Sequence, residues 1–143
     1  MTRGIAGSTL APMTRVQAID PESLPRSSGH SHGAKGFGDW LFVSAQTGRN
    51  REGRMVSADL TEQLAQALDN VLDVVWAGGG SAASLARVTV YVRDGREYRL
   101  RHRAIDEAWR RRLDGHRPAL TVLEVAGLLD DEARVAVEAV ALV

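Results

Sequence analysis

At 143 residues, with 18 basic and 18 acidic side chains, the chain has the length of one ordinary domain and no positive field to draw it to nucleic acid or an anionic membrane. Hydrophobic residues make up 44% and charged residues 25%, the balance of a globular rather than a disordered protein. The lack of cysteine excludes disulfides, thiolate metal sites and a cysteine nucleophile, and it fits a reducing compartment such as the cytoplasm.

The opening stretch, MTRGIAGSTLAPMTR, has no continuous apolar core of the secretion-signal kind, and nowhere do about 18 apolar residues run together to cross a bilayer. Residues 1–12 read as a flexible extension, Met13 as a candidate start, and residues 13–143 as a single domain. From Thr14 to Ile19 polar and apolar positions alternate, which predicts a short strand. Residues 20–39, DPESLPRSSGHSHGAKGFGD, are too rich in Pro, Ser and Gly for a helix and predict a long ordered loop. Loops that carry polar side chains on a rigid scaffold are common places for binding and catalysis. Trp40 to Ala45 predicts a buried strand, closed by the turn residues Asn50 to Gly53.

Asp59 and Glu62 suggest a capping box. Leu60, Leu64, Leu68, Val71, Leu72 and Val75 then recur at helical spacing until Gly78, Gly79 and Gly80 end the run. Leu85 to Arg93 alternates with period two, and Asp94-Gly95 ends that strand. A second helix is predicted over about Tyr98 to Leu113, with Leu100, Ile105, Trp109 and Leu113 inward and its arginines on a solvated face. Strands at Leu120–Val125 and Val135–Val143 complete an α+β domain, a mostly antiparallel sheet with two helices on one face. The other face is then exposed or shared, and the doubly apolar strand Leu120–Val125 favours sharing it in an oligomer.

Six stretches now resemble the Rid family, also called YjgF-like: Gly29-His30-Ser31-His32-Gly33, Leu41 to Gln46, Gln63 to Asn70, Val88 to Asp94, Pro118 to Leu128 and Val137 to Ala141. They fall in the family's order across residues 14–143. The resemblance implies a chorismate-mutase-like fold, assembly as a homotrimer with pockets between subunits, and an activity that hydrolyses enamines and imines to ketones and ammonia. In the deaminase branch an arginine pairs with the carboxylate of a 2-imino acid and a glutamate helps activate water, with a tyrosine and backbone groups near a Ser-Gly step completing the pocket. Carried over by position, the arginine falls on Leu120, the glutamate on Ala136, the tyrosine on His30 and the glycine on Ala45, while Ser44, Gln46 and Pro118 match. The pocket's usual charged pair is therefore absent, and Leu120 with Ala45 makes the site more apolar.

Histidine is the side chain best suited to proton transfer near neutral pH, so His30 is the candidate catalytic acid or base, against the alternative that it only hydrogen-bonds its loop. Ser31 and His32 flank it as candidate binding residues, His32 belonging to common family wording. No metal is expected, because two histidines one residue apart on a strand-like segment point to opposite faces unless the loop bends, and no cofactor is expected either. Arg103 is either a replacement anion grip from the helix side or part of the solvated face; Glu124, on the face of Leu120, is either an acid lining the cleft or a structural hydrogen-bonder. Two functions follow: an enzyme acting on an enamine, imine or related carbonyl metabolite by acid-base chemistry, or a non-catalytic trimer that binds a metabolite. Neutral charge and 5% aromatic content disfavour an RNA-directed role.

Overall fold

The computed structural model describes residues 15–143; the expectations for residues 1–12, and for Thr14 as the start of a strand, lie outside them. In chain order the elements are β1 (Val16–Ile19), β2 (Gly33–Gly36), β3 (Trp40–Gln46), α1 (Leu60–Ala77), β4 (Leu85–Val92), α2 (Gly95–Leu100), α3 (His102–Leu113), β5 (Ala119–Glu124) and β6 (Val135–Leu142). Four strands form one sheet in the order β3-β6-β4-β5, and β1 pairs with β2 in a separate antiparallel hairpin. The β3–β6 and β6–β4 junctions are antiparallel and β4–β5 is parallel. The parallel junction follows from the helical crossover between β4 and β5, since a parallel neighbour cannot be reached by a tight hairpin.

The helices cover one face. Val88, Val90 and Val92 of β4 and Val135, Val137, Ala139 and Ala141 of β6 alternate onto it and meet Leu64, Leu68, Val71 and Val75 of α1 with Ile105, Trp109 and Leu113 of α3. Asp59 caps α1 by accepting the Glu62 amide proton at 3.0 Å. The reciprocal half of the expected box is replaced, because the Asp59 amide donates to Ser57 Oγ at 2.9 Å. Gly78 caps the other end of α1 and Gly79 follows at φ 94°, so the glycine run stops the helix as predicted.

Three expectations need correction. The strand expected to be buried over Trp40 to Ala45 is buried only at Val43, because Trp40 and Phe42 alternate onto the face without helices and Ser44 and Ala45 bulge out. The second helix is two: α2 starts earlier, at Gly95, because Asp94 accepts the Arg96 and Glu97 amide protons, and the chain bends at Arg101, whose guanidinium reaches Asp59 at 2.8 Å. Leu100 ends α2 pointing outward, 74% exposed, rather than joining the core. Part of the expected loop over residues 20–39 is strand, since Gly33–Gly36 pairs with Val16–Ile19 although its text, GAKG, has no apolar alternation. Gly36 is required there: a Cβ would lie 1.8 Å from the Arg15 carbonyl oxygen and 2.9 Å from Leu142 Cδ1.

Among the described residues no helix covers the other face of this sheet. Register places Arg87, Thr89 and Tyr91 of β4, Ala136, Glu138 and Val140 of β6, and Trp40 and Phe42 of β3 on it. Trp40 and Phe42 are each 69% exposed, with ring centroids 5.9 Å apart. At its middle the Tyr91 hydroxyl donates to Glu138 Oε1, a bond that holds the phenol above its ordinary pKa.

Candidate functional site

Loop 20–32, rich in Pro, Ser and Gly, cannot form regular structure and is instead tied down by its own polar groups. Ser31 is buried: its Oγ lies 2.8 Å from the carbonyl oxygens of both Gly33 and Arg117, its amide donates to the Pro118 carbonyl, and it bridges Ala119 at the start of β5. Ser31 thus anchors the loop and does not point into a cleft. His32 is exposed, and its Nε2 stands 2.6 Å from the Pro25 carbonyl, which can only accept, so Nε2 carries the proton. His30, half-buried, has Nδ1 3.0 Å from the Ser28 carbonyl. The same reasoning puts the proton on Nδ1, which leaves the neutral ring a lone pair on Nε2. Among the described residues no hydrogen bond reaches His30 Nε2.

Leu120, one residue past the Ser31–Ala119 bridge, pairs with Val88 and packs on the helix side of the sheet. Glu124 pairs with Val92, so it shares the face of Leu120, and its Oε1 accepts the Gly95 amide proton at 2.8 Å, beside Asp94 at the start of α2. It lies five residues from Ala119, roughly 16 Å along the strand, and the protomer does not bring it to His30. Arg103 is exposed on α3, on the side opposite Ile105 and Trp109, and is not brought to Leu120.

A second group gathers at the opposite edge of the sheet. Val43 pairs with Ala139 but Gln46 with Val137, so one extra residue bulges between them and Ser44 and Ala45 leave the ladder. Both are exposed, and Gln46 Nε2 donates to the Ser44 carbonyl at 3.2 Å. Ala136, beside Val137, pairs with Tyr91 and is buried on the open face. Leu120 and Ala136 therefore lie on opposite faces. Three strand spacings, roughly 14 Å, separate β3 from β5. One protomer separates the candidate residues into two candidate half-sites, the His30 loop and Leu120 toward one edge and the Ser44–Ala45 bulge with Ala136 toward the other.

Two side chains missed in the sequence shape the first half-site. Arg117 Nη2 donates to Asp20 Oδ2 at 2.9 Å and Nη1 approaches the His30 carbonyl at 3.4 Å. Asp20, Ser27, His32 and Arg117 share the lining of a surface cleft, where they bond largely to one another and to the loop backbone. No local pattern announced this pair, because its members stand 97 residues apart. Among the described residues no cluster of three or more His, Asp or Glu is grouped to hold a metal ion, and no helix is long and apolar enough to cross a membrane.

Comparison with known proteins places this geometry. The family model described as Endoribonuclease L-PSP matches residues 22–143. A 2-iminobutanoate/2-iminopropanoate deaminase of Escherichia coli is 29% identical over 126 residues, covering 88% of this chain and 97% of that protein. The crystal structure of a Rid-family protein of unknown function, YyfB of Yersinia pestis, superposes with a TM-score of 0.83 at 27% identity, over 90% of this chain and 99% of that one. Escherichia coli TdcF with bound serine gives 0.64 at 25% identity, over 89% and 98%.

Proposed function

We propose a function from one premise: the chain belongs to the Rid (YjgF-like) family. On that premise the protein is a small-molecule enzyme that acts on an enamine, imine or related carbonyl compound in a pocket between subunits of a homotrimer, with His30 as its acid-base group. The observation that carries this reading is the His30 ring, whose Nδ1 is engaged by the Ser28 carbonyl and whose Nε2 is left with a lone pair to take a proton.

Two features support the shared pocket. The half-sites occupy different edges and faces of one sheet, so a ring of copies that sets the β5 edge of one beside the β3 edge of the next would join them. The open sheet face, with two aromatic rings exposed, offers the surface such a ring would bury. The bulge at Ser44 and Ala45 frees backbone groups to bind a polar ligand atom. With Leu120 in place of the cation that grips a carboxylate, the favoured substrate is larger or less acidic than a small 2-imino acid.

The test compares ammonia release from freshly generated 2-iminopropanoate with release from enamines and imines that carry apolar groups and no carboxylate. The wild type should hydrolyse 2-iminopropanoate little faster than buffer, and an apolar imine measurably. His30→Ala should reduce that turnover by about 10²–10⁴-fold. Rapid hydrolysis of 2-iminopropanoate, unchanged in His30→Ala, would overturn the proposal. Absence of turnover with saturable binding would favour the metabolite-binding trimer. The double change Leu120→Arg with Ala136→Glu should raise 2-iminopropanoate hydrolysis if the two positions meet across subunits, and neither change alone should match it.

A further inference from the structure

We infer that Asp20 and Arg117 are positioning residues that hold the backbone at His30 and His32, on either side of Ser31; the inference rests on the reading of His30 as the proton-transfer group. Asp20 follows β1, and its carboxylate serves two partners. Oδ1 accepts the His32 amide proton at 2.9 Å, and Oδ2 accepts the Arg117 Nη2 proton at 2.9 Å. The same guanidinium reaches back through Nη1 to the His30 carbonyl at 3.4 Å, which also accepts the Ser27 Oγ proton at 2.6 Å. His30 is thus gripped at its carbonyl and His32 at its amide, with Ser31 between them fixed to the Arg117 and Pro118 carbonyls.

The clamp has a physical reason. The segment from Asp20 to His30 is mostly exposed and has little apolar surface to anchor it, so packing alone does not order the backbone that sets the His30 ring. A bond between β1 and the entry of β5 spans that loop at its base. The His32 amide, with Arg117 adding to it, holds the Asp20 carboxyl below its ordinary range, so the group is ionised at neutral pH and the clamp is closed there.

The test reads the His30 imidazole by nitrogen NMR in the full chain, in wild type, Asp20→Ala, Arg117→Ala and the double variant, with the amide spectra of α1 and β4 as the check on folding. In the wild type the Nδ1–H form of His30 should dominate. Each single variant should move the ring toward a mixture of tautomers and speed exchange of the His32 amide about tenfold, and the double variant should be no worse than either single one. Turnover should fall in kcat about tenfold with KM within twofold. If either alanine variant fails to fold, Asp20→Asn, which keeps an acceptor for the His32 amide but not the charge facing Arg117, and Arg117→Lys, which keeps a cation without the fork, should give intermediate tautomer shifts. An unchanged His30 tautomer in folded variants overturns the clamp, even where His30→Ala is inactive. A tautomer shift together with a fully active His30→Ala would uphold the clamp and remove the acid-base reading instead.

Discussion

In the proposed assembly, Phe42→Asp should leave a species with the mass of one 15.5 kDa chain in light scattering. Phe42 projects from β3 onto the face of the four-stranded sheet that the helices leave uncovered, beside Trp40, and both rings are 69% exposed in the protomer. Two aromatic side chains displayed together on a flat strand are what an interface core contains, and they are costly to leave in water. A carboxylate there would have to be desolvated on association, a penalty of several kcal/mol per copy with no partner on its own strand. In a closed ring the penalty recurs at every contact, so the loss should be complete at micromolar concentration. Leu100→Asp, on the helix side where Leu100 is 74% exposed, serves as the control and should leave the mass unchanged. A wild type with the mass of one chain would remove the shared pocket from the proposed function. A Phe42→Asp protein of undiminished mass would move the interface away from this face.

Gln63→Ala should lower the unfolding midpoint by roughly 10 °C, about 3 kcal/mol for a domain of this size. Gln63 lies in the first turn of α1 and is fully buried. Its Nε2 donates to the Ser57 carbonyl at 2.8 Å and to the Glu132 carbonyl at 3.1 Å, while its Oε1 accepts the Arg134 amide proton at 2.8 Å. One side chain thus joins the approach to α1 with the approach to β6, segments about 70 residues apart. Truncation leaves a buried amide and two carbonyls without this partner and opens a small cavity, each unsatisfied group costing about 1–3 kcal/mol. Gln63→Glu should be nearly as damaging, because it keeps the acceptor but turns both donors into a buried carboxylate facing carbonyl oxygens. A midpoint within about 2 °C of wild type in thermal unfolding would show that water replaces all three bonds.

The regions around these residues were legible to different degrees. Helix α1 was plain because Leu60, Leu64, Leu68, Val71 and Val75, all buried, recur at helical spacing between an acidic cap and a glycine run. Strand β4 was equally plain from period two. The position of Leu120 could be read, since Pro118 and the strand after it carry family wording, and so could its shared face with Glu124, which period two dictates. Strand β2 was hidden, because GAKG has no pattern of its own and is a strand only through its pairing with β1. The break at Arg101 was hidden as well, since it depends on Asp94 capping one helix and Asp59 pairing with the bend.

The sequence by itself determined the α+β class, the buried faces of α1 and β4, the uncovered side of the sheet, and the family to which the site must be compared. These are local or periodic properties, and hydrophobic burial enforces them wherever the chain goes. Only the tertiary structure decided that Leu120 and Ala136 face opposite ways, that Glu124 accepts the Gly95 amide proton at the start of α2, that Ser31 is held by the Gly33 and Arg117 carbonyls, and that Asp20 pairs with Arg117 beside the His30 backbone. Hydrogen bonds and ion pairs between residues far apart in the chain depend on strand order and register, and these arise from how all the elements pack at once rather than from any one of them.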